Sequence, residues 1–177
     1  MKRLCLMRHA KSDWSDPAKD DFERALNPRG IKAAKFMAKY ISSSEYRPDA
    51  VLCSTAKRAR ETFEPLHERL PDGTPVVFRD ELYHAMPDVM LDEIHNAPAD
   101  AKTLLVVAHN PGLVLLAMGL AEDPDEEVAI KVANGVPTGG FIVFDFDVDS
   151  WKDVREGEGH TIFFGRPRDL MPAPEKQ

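Results

Sequence analysis

The stretch RLCLMRHAKSDW (residues 3–14) places a short apolar run directly before a cation and an imidazole. Residues 4–7 are continuously apolar, which is typical of a strand buried on both faces of a parallel sheet. The run stops at Arg8 and His9. Polar side chains at the end of a buried strand indicate that this strand carries them to the rim of a site.

Working outward, five further apolar runs predict strands at residues 50–53, 76–78, 104–108, 141–146 and 161–164. Helix starts are indicated between them by Asn27-Pro28 and Asn110-Pro111, where a capping side chain precedes a proline, and by Ser54. Strands that alternate with helices form a mainly parallel sheet. The polar stretch 147–159 shows no crossover helix, so the last two strands are expected to be antiparallel. We therefore predict an α/β fold with three layers, α/β/α, and one antiparallel edge or hairpin near the C-terminus.

The composition indicates one soluble globular domain, since the 177 residues are 43% hydrophobic and 30% charged. We expect a single domain over residues 1–166. Residues 167–177, which contain Pro167, Pro172 and Pro174, are expected to form a loose C-terminal tail.

The net charge of −7 argues against binding to nucleic acid or to an anionic membrane. Cys5 and Cys53 both lie in apolar runs, which is typical of reduced core residues in the cytosol. No apolar run is long enough to span a membrane, and the N-terminus lacks the features of a signal peptide. These features predict a cytoplasmic protein.

Polar residues that can bind an anion follow three of the predicted strands. They are Arg8 and His9, Ser54 with Arg58 one helical turn later, and His109 with Asn110. In open α/β sheets, ligands bind beyond the carboxyl ends of the strands, where helix N-termini also favour anions. Because arginine forks match phosphate oxygens, this pattern predicts an anion site.

Other phosphate and metal chemistries are excluded or disfavoured by spacing. No P-loop motif is present, and the residue six after Cys53 is Ala59 rather than the arginine that a cysteine phosphatase needs. Neither H-E-x-x-H nor a pair of Cys-x-x-Cys motifs occurs. The polar residues His84, Asp88, Asp92 and His95 share a helix-like stretch and could bind a metal, but Asp and His on a polar helix face are usually just solvated. We therefore expect no cofactor and no metal.

Three motifs resemble those of the histidine phosphatase superfamily, in the same order along the chain. "LMRHAKSDW" resembles its Arg-His-Gly motif, "CSTAKRARET" its Ser-x-x-x-Arg-Ala-x-x-Thr element, and "VVAHNPGL" its Gly-His element after a central strand. Together with "ALNPRG", "LYHA" and "RPRDL", they are most similar to the small SixA-type phosphohistidine phosphatases. The resemblance implies a three-layer α/β fold.

The resemblance also implies roles for individual residues. His9 would be the nucleophile, and Arg8, Arg58 and His109 would form the phosphate pocket. The remaining candidates for substrate binding are Ser12, His84 and Asn110. The expected function is a phosphatase that forms a phosphohistidine intermediate without a metal and acts on phosphohistidine in a protein. The alternatives are a phosphomonoesterase of small metabolites and a non-catalytic phosphoprotein-binding module.

The proton donor for the leaving group is the point where the sequence departs from the superfamily. Many members have a glutamate in a Leu-x-Glu context, whereas this chain has Leu82-Tyr83-His84. His84 either shapes the loop or donates a proton, and Asp80 and Glu81 are nearby. A site without this carboxylic acid is expected to prefer phosphohistidine to alkyl phosphates, because imidazole leaves with little assistance.

Overall fold

The computed structural model describes residues 1–122, 131–132 and 134–172, and the elements with both ends in these ranges are six strands, five α-helices and three short 3-10 helices. The strands are β1 (Lys2–Arg8), β2 (Ala50–Ser54), β3 (Val76–Arg79), β4 (Thr103–Ala108), β5 (Phe141–Phe146) and β6 (His160–Gly165). The helices are α1 (Pro28–Ser42), α2 (Lys57–His67), α3 (Pro87–His95), α4 (Gly112–Leu120) and the short α5 (Pro167–Leu170). Each predicted strand is confirmed, with ends displaced by at most two residues.

The strands form one sheet in the order β3-β2-β4-β1-β5-β6. The four strands from β3 to β1 are parallel, while β5 runs antiparallel to β1, and β6 antiparallel to β5. The predicted mainly parallel sheet with an antiparallel edge is therefore confirmed. Because β4 and β1 are parallel neighbours at the centre of the sheet, their carboxyl ends lie side by side in the middle of the sheet.

Helices cover both faces of the sheet, as the alternation of side chains along β1 shows. Leu4 and Leu6 are buried in one core cluster with residues of α3 and α4. Cys5 and Met7 are buried in a second cluster with residues of α1 and α2. Successive side chains of a strand point to opposite faces, so the two clusters lie on the two sides of the sheet. This arrangement confirms the three-layer α/β/α fold.

The two Asn-Pro helix signals have different outcomes. Asn27 caps α1, since its Oδ1 accepts a hydrogen bond of 2.8 Å from the Gly30 amide. Asn110 does not cap α4, which begins at Gly112; its Nδ2 donates instead to the Val136 carbonyl at 2.9 Å. The predicted cap at Asn110 is therefore wrong, because a tertiary partner from the loop before β5 takes its side chain.

The segment expected to be a loose tail begins with an ordered turn. Pro167 is buried, and Leu170 packs against the core cluster of α1 and α2. A proline at the first position suits the start of this short α5 helix. Residues 173–177 lie outside the described residues, and the domain limits 1–166 stay a prediction.

Both cysteines lie in the core without a disulfide partner. Burial raises the pKa of the Cys5 and Cys53 thiols far above the ordinary value, so both are protonated and unreactive at neutral pH. In the described part of the chain, no helix has the length and apolar character needed to cross a bilayer.

Candidate active site

The carboxyl ends of β1, β2 and β4 open into a pocket of about 400 Å³. All seven predicted site residues line it, so the structure brings them together. The full lining consists of Arg8, His9, Lys11, Ser12, Trp14, Asp21, Asn27, Arg58, His84, His109, Asn110 and Thr138. The sequence did not single out Lys11, Trp14, Asp21, Asn27 or Thr138 as part of this site.

His9 is 7% exposed and is fixed in one tautomer. Its Nδ1 lies 2.7 Å from the carbonyl oxygen of Ala10. Because a carbonyl oxygen only accepts, Nδ1 carries the proton and Nε2 keeps its lone pair. Arg58 Nε lies 3.4 Å from Nε2 as a donor, which agrees with this assignment. The sequence could not identify the hydrogen-bond partner that orients this imidazole.

The environment of His9 keeps its imidazole neutral. Burial lowers the pKa of His9 to about 4, and the nearby charges of Arg58 and Arg8 act in the same direction. The hydrogen bond to the Ala10 carbonyl opposes this shift without cancelling it. Near pH 7 the ring therefore presents an unprotonated nitrogen beside two guanidinium groups, which is the state a nucleophile requires.

Arg58 is held against His9 by contacts at both its ends. Its Nη1 donates to the Asp21 carbonyl at 2.7 Å, and its Nη2 donates to Asp21 Oδ2 at 3.0 Å. The Thr62 hydroxyl donates to the Arg58 carbonyl at 2.6 Å and accepts from the Ala10 amide at 2.9 Å. The threonine of the second motif therefore ties α2 to the loop that carries His9.

The loop before β5 supports the other side of the pocket. Its Val136 carbonyl accepts from Arg8 Nη1 at 3.1 Å and from Asn110 Nδ2 at 2.9 Å. The Gly139 amide, at φ 75°, donates to the carbonyls of Arg8 and His9. Glycine adopts this left-handed conformation without strain. Arg8 Nε is buried and has no hydrogen-bond partner among the described residues.

His109 lies beside His9, with 5.1 Å between the ring centroids. Its Nε2 is 2.7 Å from the Ser54 hydroxyl, which joins the ends of β4 and β2. Burial lowers the pKa of His109 to about 3, and electrostatic interactions with the neighbouring His9 and Arg58 side chains act in the same direction. His109 is therefore neutral at pH 7, and its Nδ1 is buried without a hydrogen-bond partner in the described part of the chain.

Asp21 brings a carboxylate into the pocket. Its Oδ2 accepts from Tyr83 Oη at 2.6 Å and from Arg58 Nη2, and it lies 3.6 Å from His84 Nε2. Partial burial acts to raise the pKa of Asp21, but the bonds from Tyr83 and Arg58 outweigh it and hold this pKa below the ordinary value. In the sequence Asp21 adjoins Asp20, and nothing in the local pattern distinguishes the two.

The three possible proton donors for the leaving group, His84, Asp80 and Glu81, lie in different positions relative to the pocket. His84 adopts a φ of 56° and keeps 60% of its side chain exposed at the pocket mouth. Asp80 accepts from the Thr55 hydroxyl at 2.6 Å, and Glu81 lies 3.5 Å from Arg79. Neither Asp80 nor Glu81 lines the pocket.

The described residues form no cluster of potential metal ligands at this site. Among residues 1–122, 131–132 and 134–172, no group of three His, Cys, Asp or Glu side chains is placed to hold a metal ion. His95, one of the residues weighed for such a site, lies with its Nε2 2.8 Å from the Val154 carbonyl.

Comparisons with known proteins identify the family of the chain. The model of the histidine phosphatase superfamily (branch 1) matches residues 4–85. An uncharacterised protein of Mycobacterium tuberculosis is 37% identical over 164 residues, which are 92% of this chain and 100% of that protein.

Two solved structures, both assigned as the phosphohistidine phosphatase SixA, are similar over nearly their whole length. The Nakamurella multipartitia protein is 29% identical with a TM-score of 0.81, covering 94% of this chain and 96% of its own. The Agrobacterium tumefaciens protein is 30% identical with a TM-score of 0.77, covering 94% and 98%. This chain therefore belongs to the histidine phosphatase superfamily and is similar to its SixA-type members.

Proposed function

We propose that this phosphatase transfers a phosphoryl group to His9 Nε2 and that its substrate is phosphohistidine in a protein. The observation that carries the proposal is the state of His9, a neutral imidazole with Nδ1 bonded to Ala10 and Nε2 beside the Arg58 guanidinium. A nucleophile and a charge-stabilising group are thus in place before the substrate binds.

The reaction has two displacements at phosphorus. In the first, His9 Nε2 forms a bond to phosphorus while the bond from phosphorus to the leaving nitrogen breaks, and that nitrogen takes up a proton from solvent water. Arg8, Arg58 and His109 stabilise the charge on the equatorial oxygens. The hydrogen bond from Nδ1 to the Ala10 carbonyl stabilises the positive charge that His9 acquires. In the second, water attacks phosphorus and releases His9 and inorganic phosphate.

Two buried nitrogens support the proposed phosphate position. Arg8 Nε and His109 Nδ1 both lack a hydrogen-bond partner among the described residues. Leaving buried polar groups unpaired costs free energy, so such groups at a pocket are suited to bind a ligand. The Ser54 hydroxyl accepts from the Ala56 amide, and when it donates its own proton to His109 Nε2, the neutral ring carries its proton on Nδ1. A phosphate oxygen can then accept from both nitrogens, and we assign both residues to the phosphate pocket.

The leaving group is inferred from Asp21, the one carboxylate among the described residues that line the pocket. Asp21 is bonded to Arg58 and Tyr83, and its lowered pKa keeps it ionised at neutral pH. An ionised carboxylate cannot donate the proton that an alkoxide leaving group needs. Imidazole is readily protonated near neutral pH, which favours phosphohistidine over an alkyl phosphate.

We further propose that catalysis needs no metal, because Arg8 and Arg58 already supply positive charge beside His9. Activity is expected to remain unchanged after exhaustive dialysis against a chelator. Activity that returns only when a divalent ion is added back would contradict this.

The function is tested by measuring phosphate release from a phosphohistidine peptide and from an alkyl phosphomonoester. We expect a higher kcat/KM on the peptide, and we expect His9→Ala to abolish turnover while the circular dichroism spectrum is unchanged. His160→Ala is the matched control, because that imidazole is 74% exposed at the start of β6.

Each alternative function gives a different result in this experiment. Comparable efficiency on both substrates would favour a phosphomonoesterase of small metabolites. Binding of the phosphopeptide by the unmodified protein without phosphate release would indicate a non-catalytic module. Normal turnover in His9→Ala would end the proposed mechanism.

A further inference from the structure

A strongly basic groove of about 750 Å³ adjoins the catalytic pocket. The basic groove is defined by five cationic side chains, all exposed: Lys11, Arg29, Lys32, Arg166 and Arg168. Within the described part of the chain, no carboxylate lines it. Lys11 and Thr138 line both the basic groove and the catalytic pocket, so the two are continuous.

Three separate parts of the fold supply these cations. Lys11 follows β1, Arg29 and Lys32 lie in the first turns of α1, and Arg166 and Arg168 flank the start of α5. Arg166 is paired with Asp169 at 2.7 Å. The other four form no ion pair with a described residue, so their charge is available to a ligand.

The position of the basic groove contrasts with the charge of the whole chain. A net charge of −7 repels an acidic partner at long range. A local cluster of cations beside the catalytic pocket attracts acidic groups to that position and orients them there. The charge pattern therefore selects substrates whose acidic groups flank the phosphoryl group.

We propose, as a deepening of the proposed function, that the basic groove binds acidic side chains of the phosphorylated protein substrate. A small polyphosphate is the less suitable ligand, because these cations are exposed and spread over three elements. Sites for compact anions usually hold them with buried, pre-ordered donors. Exposed, flexible lysines and arginines instead match carboxylates distributed along a protein surface.

The test uses two synthetic peptides that each carry one phosphohistidine. In the first, glutamates flank the phosphohistidine; in the second, glutamines replace them. We expect the unmodified protein to have a KM roughly 5- to 10-fold lower for the glutamate peptide at low salt, the size expected of a few exposed ion pairs. The preference is expected to fade at high salt, because screening shortens the range of the attraction.

The double variant Arg29→Glu/Lys32→Glu is expected to lose this preference and to keep its turnover of free phosphohistidine. Lys152→Glu is a control for a charge reversal elsewhere: it is exposed and follows Trp151, whose Nε1 donates to the Ala101 carbonyl at the opposite edge of the sheet. This control is expected to behave as the unmodified protein does.

The outcomes separate the two proposals. If the unmodified protein releases phosphate from neither peptide, the proposed function fails. If it hydrolyses both and the double variant keeps the glutamate preference, only the basic groove proposal is overturned. A double variant that loses affinity for inorganic triphosphate but not for the glutamate peptide would also overturn it, in favour of a small polyanion.

Discussion

At the scale of single residues, Asp21 sets the charge that a phosphate meets in the pocket. Its carboxylate is 3.0 Å from Arg58 Nη2 and accepts from Tyr83, so it partly neutralises the guanidinium that faces His9. Arg58 is also anchored by the Asp21 carbonyl oxygen, a contact that does not depend on the side chain. The charge of Asp21 can therefore be removed without removing all the support of Arg58.

We predict that Asp21→Asn lowers the inhibition constant for inorganic phosphate by about 10-fold, because a negative charge near the anion is removed. The asparagine still accepts from Tyr83, and kcat on a phosphohistidine peptide is expected to change little. Competitive inhibition by phosphate measures the effect. Asp20→Asn is the matched control, since Asp20 is the exposed neighbour. Weaker phosphate binding in Asp21→Asn would show that its carboxylate mainly orders Arg58.

The residues that the sequence could and could not reveal differ in where they lie along the chain. Arg8 ends β1, His9 and His109 directly follow β1 and β4, and parallel strands bring such positions together. Asp21 begins a single 3-10 turn, Asp21–Glu23, in a polar stretch of the sequence, and its side chain contacts the pocket residues Arg58 and Tyr83. No periodicity marks a loop residue of this kind, so its placement required the structure.

At the scale of elements, α1 and α4 each have a glycine near their N-terminus that lies in close contact with a loop of the pocket. A methyl group added at Gly112, the first residue of α4, would overlap the Ala85 carbonyl oxygen beside His84. One added at Gly30 in α1 would overlap the Lys11 carbonyl oxygen, two residues after His9. The helix starts therefore hold the loops of the site at a distance that only glycine permits.

We predict that Gly112→Ala destabilises the protein and lowers kcat/KM, because α4 or the loop of His84 must move. Gly119→Ala in the same helix is the matched control, since the nearest atom to its added methyl is Glu156 Oε1 at an ordinary 3.6 Å. Alanine is the better helix former, so Gly119→Ala is expected to gain up to about 1 kcal/mol. Urea unfolding and phosphate release measure both variants. Equal behaviour of the two would show that the close contact at Ala85 does not constrain the site.

The two Asn-Pro dipeptides show what a local sequence signal can predict and what it cannot. Asn27-Pro28 and Asn110-Pro111 are equivalent as dipeptides, yet only Asn27 caps its helix. The central strands β1, β2, β4 and β5 were predictable because their apolar runs reflect burial on both faces, whereas β3 and β6 are only partly buried. Whether Asn110 bonds to its own helix or to Val136 depends on a loop 26 residues away in the chain. Such competition between local and tertiary partners is invisible in the sequence.

At the scale of the whole molecule, the burial that keeps His9 and His109 neutral also makes the free energy of unfolding depend on pH. His9 and His109 are buried and neutral, with pKa values lowered to about 4 and about 3. In the unfolded chain each imidazole takes up a proton near its ordinary value of 6.5. Below that pH the unfolded state binds more protons than the folded state, so stability falls as the pH decreases.

For His9 the affected range runs from about pH 6.5 down to about pH 4, and each unit of pH in it costs about 1.4 kcal/mol. We predict that His9→Asn, which has no imidazole to protonate, loses about 2 kcal/mol less of its free energy of unfolding than the unmodified protein between pH 7.5 and pH 5. Urea unfolding in phosphate-free buffer measures both. His160→Asn is the control for removing an imidazole at an exposed position, since that side chain is 74% exposed. If the unmodified protein and His9→Asn lose the same free energy, then His9 is not held neutral by burial, and the state proposed for the nucleophile is wrong.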